Sequence, residues 1–90
     1  MAASKRFVVT GRVQGVGYRY FVIQAVKDLD LRGWVRNLPD GSVEVCAEGS
    51  EEELGLIVTR LRQGPALSRV DSVREEPAAP NGEPAFRIRH

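Results

Sequence analysis

The stretch Gly11-Arg12-Val13-Gln14-Gly15-Val16-Gly17-Tyr18-Arg19 carries the residues best suited to chemistry. It joins a β-like run, Phe7-Val8-Val9-Thr10, to an apolar-periodic helix that starts near Tyr20. Gly15 and Gly17 let the backbone turn tightly and come close to a ligand. The turn brings backbone N–H groups and the Arg19 guanidinium to a helix N-terminus, a combination that suits a bound phosphate. A cation in that position opposes the local dipole, and a bound anion would compensate it. The same glycines would also serve a plain strand-to-helix connection; Arg19 is what favours the anion. Asn37, just before a turn, is the second candidate. Asparagine is common at turns, but it also offers a neutral donor and acceptor that can orient a water. A carboxylate there would repel a phosphate.

The other familiar catalytic groups are missing. No Gly-Lys-Ser/Thr follows the turn, and its glycine spacing is not that of a dinucleotide fingerprint. Cys46 is expected on a strand's outer face between Glu44 and Glu48, which raises a thiol's pKa instead of activating it. His90 is expected to be mobile. Ser42, Ser50, Ser68 and Ser72 have no evident histidine partner, and no Cys/His cluster exists to hold zinc or iron. These absences constrain the reaction. Hydrolysis of a phosphate monoester needs help for a poor alkoxide leaving group. A mixed carboxylic–phosphoric anhydride releases a carboxylate, which leaves without protonation. Electrostatic clamping and water positioning then suffice.

Those residues need a frame. Alternation predicts a first strand over Lys5–Val13, with Phe7, Val9 and Val13 inward and Arg6, Val8, Thr10 and Arg12 on a wetter face. Phe21, Val22, Ala25, Val26 and Leu29 form the apolar stripe of a helix over about residues 20–29. Trp34–Asn37 reads as a short strand and Pro39-Asp40-Gly41 as a hairpin turn. A third strand spans Ser42–Glu48, with Val43, Val45 and Ala47 inward, Glu44, Cys46 and Glu48 outward, and Gly49 as its end. Ser50 and Glu53 form a capping box for a second helix with Leu54, Ile57, Val58 and Leu61 on its apolar face. Gly64 and Pro65 stop it. Leu67–Arg74 reads as a fourth strand, residues 77–84 as a proline-rich loop, and Phe86–Arg89 as a short closing strand. The order predicts an α+β, ferredoxin-like β-α-β-β-α-β sandwich: an antiparallel sheet with two helices on one face and a short extra strand.

Ninety residues with a net charge of +1 are expected to form one domain, 1–90, without the strong basicity of a nucleic-acid binder. RNA-recognition domains share this topology but display aromatics on the open sheet face, where Arg6, Val8, Thr10, Glu44, Cys46 and Glu48 are expected here. No run approaches the ~20 apolar residues that span a bilayer, and the first residues lack the apolar core of a secretory signal. With a single cysteine, a reducing cytoplasm and a monomer are the expectation.

Val13-Gln14-Gly15-Val16-Gly17-Tyr18-Arg19, Gly33-Trp34-Val35-Arg36-Asn37 and Asp40-Gly41-Ser42-Val43-Glu44 resemble the acylphosphatases. The resemblance continues through Gly49, Gly64-Pro65, Ser68-Arg69-Val70 and Phe86-Arg87-Ile88. It implies hydrolysis of acyl phosphates to a carboxylate and inorganic phosphate, with no cofactor and no metal. It assigns phosphate binding to Arg19 and the backbone of Gln14, Gly15, Val16, Gly17 and Tyr18, and orientation of the attacking water to Asn37. The alternative is a non-catalytic anion-binding or regulatory module on the same fold. Tyr18 stands where the family more often has phenylalanine, adding a hydroxyl that needs a partner. Asp30 stands where glycine is usual, and a left-handed helix terminus there would suit aspartate poorly.

Overall fold

The computed structural model describes residues 2–90. Its elements are β1 (Ala2–Arg12), α1 (Tyr18–Ala25), β2 (Arg32–Asn37), β3 (Val43–Ser50), α2 (Glu51–Gln63), β4 (Arg69–Pro77) and β5 (Phe86–Ile88). The five strands form one sheet in the order β4-β1-β3-β2-β5. The first four strands pair antiparallel, with Val9 opposite Val43 and Val73, and Val35 opposite Val45. The extra strand β5 runs parallel to β2, so the sheet is mixed, with an antiparallel body as expected and one parallel edge.

The apolar residues read from the sequence make the core. Phe7, Val9, Val35, Val43, Val45 and Ala47 line the inner sheet face and are buried against Val22 and Val26 of the α1 segment and Leu54, Ile57 and Leu61 of α2. Helix α1 packs over β2 and β5, and α2 packs over β1, β3 and β4. Ser50 caps α2 by accepting from Glu53 N at 3.2 Å, with Glu51–Glu53 in the first turn as the capping box requires.

Several boundaries differ from expectation. β1 begins at Ala2 and β3 continues to Ser50, because Ala2 and Ala3 pair with Ser50 and Gly49. β4 runs Arg69–Pro77, not from Leu67, which lies outside the sheet and is 75% exposed. Helix α1 starts two residues early, at Tyr18, and ends at Ala25 instead of Leu29. Arg60 of α2 explains the early stop. It donates to Ala25 O at 2.5 Å and grips Asp28 through two bonds of 2.7 and 3.0 Å, supplying a partner that a helix end otherwise lacks. The chain then leaves through a turn closed by Leu29 N to Val26 O at 3.0 Å. Asp30 therefore sits beyond the helix end, and every positive-φ residue described is a glycine, so the strain expected at Asp30 does not arise.

Glu44 points outward from the core as expected, yet it is shielded from water. Its side chain is only 5% exposed, clamped by Arg6 and by Arg36, whose Nε lies 2.7 Å from Oε1. Both guanidiniums come from neighbouring strands on the same face, as the register requires. Trp34 also stands on this open face, opposite Cys46. The guanidiniums of Arg36 and Arg89 lie 5.0 and 4.8 Å from its ring centre. Burial, followed by the charge of Glu44, pushes the Cys46 thiol up to about 11, which leaves it protonated at neutral pH.

Tyr18 supplies the partner that its extra hydroxyl needs. The ring is buried and the phenol donates to Leu61 O at 2.6 Å. Leu61 lies in the last turn of α2, where carbonyls lack intrahelical donors. Burial pushes the phenol's pKa upward, so it remains a donor at all working pH values. Tyr18→Phe is expected to cost about 1–2 kcal/mol by stranding that carbonyl, with turnover little changed. Urea denaturation beside a turnover assay checks both halves, and unchanged stability would remove the hydroxyl from the packing argument.

Candidate active site

The turn between β1 and α1 forms one wall of the site. Gly15 and Gly17 adopt φ values of 73° and 79°, in the left-handed region that only glycine enters freely. A Cβ at either position would meet nothing within 4 Å, so the backbone conformation, not crowding within the protein, is what demands glycine.

Gly17 is also the N-cap of α1. No side chain caps this terminus, and its first turn carries no acidic residue. The contrast with α2, closed by Ser50 and three glutamates, is informative. One helix start is capped by a side chain; the other has no such cap and borders the pocket, with Arg19 in its first turn.

The pocket has a volume of about 170 Å³ and gathers Gly15, Gly17, Tyr18, Arg19 and Asn37. The strand β2 delivers Asn37 at its last position, opposite Val43. Asn37 Oδ1 is buried and accepts no hydrogen bond from any described residue. A buried acceptor in that state costs about 1–3 kcal/mol, which a donor brought by a ligand or water would recover. The sequence-predicted pair, Arg19 and Asn37, thus shares one cavity.

Gln14 and Val16, two residues of the expected backbone cradle, commit their side chains elsewhere. The Gln14 side chain turns away from the pocket and donates to both Leu38 O and Ser42 O at 2.8 Å. These carbonyls flank the β2–β3 turn, which is tightened by Ser42 N and Oγ donating to Asp40 Oδ1 at 2.9 and 2.5 Å. Those bonds hold the Asp40 carboxyl below its ordinary range. Gln14 therefore ties the glycine turn to the hairpin that carries Asn37. Val16 packs partly buried against the core. From Gln14 and Val16, the group left to address a ligand is the backbone N–H.

The pocket also contains residues that the sequence reading missed. Val13, Tyr20, Ile88 and His90 complete its lining, and His90 Nδ1 lies 3.4 Å from Arg19 Nη1. His90 lies two residues after β5, whose path leads it to the pocket. The parallel pairing of β5 with β2 is what brings it back, and three apolar-alternating residues gave no sign of the partner strand or its direction.

The site thus joins an uncapped helix start, a left-handed glycine turn, one arginine and one unpartnered asparagine in a small α+β protein. Comparison with known proteins gives the family. The acylphosphatase family profile matches residues 5–88. An acylphosphatase of Koribacter versatilis is 51% identical over 86 residues, covering 94% of this chain and 78% of that relative. The crystal structure of an acylphosphatase from Bacillus subtilis is similar with a TM-score of 0.93 and 38% identity, over 100% of both chains. One from Coxiella burnetii gives 0.91 and 33%, over 98% of this chain and 93% of that one. The chain belongs to the acylphosphatase family and is a hydrolase of that kind.

Proposed function

We propose that this acylphosphatase hydrolyses the carboxyl–phosphate bond of small acyl phosphates through Arg19, the 14–19 backbone and Asn37. The Arg19 guanidinium and the N–H groups of the turn hold the phosphoryl oxygens and stabilise their charge as it redistributes. Asn37 Oδ1 accepts a hydrogen bond from the attacking water and aims its oxygen at phosphorus. The P–O bond to the acyl group breaks with its electron pair on the carboxylate. The water's proton passes to an oxygen of the phosphoryl group, so no protein base is required. The observation that carries this reading is the shared pocket of Arg19 and Asn37, with Asn37 Oδ1 buried and unpartnered.

No group of three or more His, Cys, Asp or Glu side chains that could hold a metal ion occurs among the described residues. Cys46, the one thiol of the chain, lies on β3 outside the pocket. No described helix is long and apolar enough to cross a membrane. We take the working form to be a single cytoplasmic domain acting as a monomer.

The test is phosphate release from benzoyl phosphate in the presence of excess chelator. Turnover far above the uncatalysed rate, unchanged by chelator, is expected. Background turnover by folded protein would favour the non-catalytic anion-binding module, and loss of activity in chelator would overturn the metal-free mechanism.

A further inference from the structure

His90 is a titratable side chain in the pocket that the reaction above leaves unused. Its position follows from the sheet. Residues 86–88 pair in parallel with Gly33–Val35, and Arg89 N donates to Val35 O at 2.8 Å, which anchors the peptide just before His90. Side chains alternate along this extended segment. Arg89 turns to Trp34 on the open face, while Ile88 and His90 turn to the pocket. The Arg19 contact at 3.4 Å is long for a hydrogen bond between nitrogens. The ring is thus beside the guanidinium and only loosely engaged by it.

We propose that His90 is a second, proton-dependent ligand for the anion that Arg19 binds, with the protonated imidazole donating from Nδ1 to the anion's oxygen. The proposal rests on the anion-binding reading of the pocket. In the empty site Nδ1 can receive an Arg19 N–H only through its lone pair, and a charged imidazole would repel the guanidinium. A dianion reverses both effects. It draws the Arg19 donors to itself, frees Nδ1, and places negative charge between two cations. Binding a dianion therefore takes up a proton at His90. The other groups facing the ring do not supply that proton linkage. From α1 come the Arg19 guanidinium and two phenols, Tyr18 and Tyr20; from β1's end, the glycine turn and β2 come the neutral Val13, Gly15, Gly17 and Asn37; from β5 comes Ile88. No Asp or Glu side chain lines the pocket among the described residues. Imidazole is the side chain whose charge changes between about pH 5 and 8.

The sign is fixed by this scheme: affinity for a dianion rises as pH falls through the imidazole's titration. Sulfate is the probe, because it stays a dianion throughout this window while phosphate does not. Its dissociation constant is measured by NMR titration and calorimetry at about pH 5.5 and pH 8. Wild type is expected to bind about tenfold more tightly at the lower pH, equivalent to one unit of coupling, with proton uptake in calorimetry. His90→Gln should bind equally at both values, near the wild-type level at high pH. His90→Lys, charged throughout, should bind tightly at both. The exposed position of His90 leaves folding unaffected by either change. Equal wild-type affinity at both pH values, or the same pH dependence in His90→Gln, would overturn the assignment. Benzoyl phosphate turnover is followed on the same samples. Proton-linked sulfate binding that His90→Gln abolishes, without turnover, would sustain the His90 ligand and sink the hydrolytic reading. Turnover with pH-independent sulfate binding would do the reverse.

Discussion

Arg19→Ala is expected to lower kcat/KM for an acyl phosphate by about 10³–10⁴-fold, which is about 4–5.5 kcal/mol of transition-state stabilisation. The size follows from what the residue faces. Arg19 is the side chain in the pocket that carries a fixed positive charge, and it stands where a helix start already favours an anion. Its hydrogen bonds to phosphoryl oxygens would be charge-assisted and directional. Removing it takes away the fixed positive charge that faces the dianion. Both binding and rate should suffer, because the phosphoryl charge is present in the bound substrate and is redistributed in the transition state. Arg19→Lys should recover only part of the loss, since an ammonium restores the charge without the planar fork. Steady-state phosphate release and competitive inhibition by inorganic phosphate measure the two components. A decrease below tenfold in kcat/KM would take Arg19 out of the site. Stability should barely change, because the side chain's one polar contact with a described side chain is the long approach to His90.

For Asn37→Ala the expected outcome is a different pattern. The rate should fall by about 10²–10³-fold, or about 2.7–4 kcal/mol, with KM nearly unchanged, because in the proposed mechanism Asn37 addresses the water and not the phosphoryl group. The fold offers a second readout. Asn37 Oδ1 is a buried acceptor without a described partner, so deleting it removes a desolvation cost and no hydrogen bond to that atom. The variant should be at least as stable as the wild type while being a much poorer catalyst. A purely structural asparagine would show the opposite, a loss of stability with little change in turnover. A rise in KM alone would contradict the water-orienting role. Asn37→Asp keeps the shape but adds a negative charge next to the phosphoryl group, and it should be slower and weaker-binding at once.

Much of this was legible from residue order. Alternation at Phe7-Val9 and Val43-Val45-Ala47, with the stripe at Leu54, Ile57, Val58 and Leu61, gave the strands, the second helix and the core, because these positions are selected by one buried face. The glycine turn and Asn37 were readable because φ > 0 and a neutral hydrogen-bonding amide require particular residue types. What remained hidden depended on distant partners. The early end of α1 is set by Arg60, more than thirty residues away, which donates to Ala25 O. Glu44 reads as a solvent-facing strand residue until the register places Arg6 and Arg36 beside it. The Gln14 contacts need the β2–β3 turn already folded. His90 enters the pocket only because β5 pairs parallel to β2, a choice that three residues cannot announce.

The two amide protons of Gln14 have a consequence for which substrates such a small protein can serve. They lock the glycine turn against the hairpin before anything binds, so the separation between the two halves of the pocket is set during folding. A flexible site would need to extract the work of ordering from contacts with a large substrate. A site held in shape by its own side chain makes no such demand. A small acyl phosphate then need not order the site on arrival.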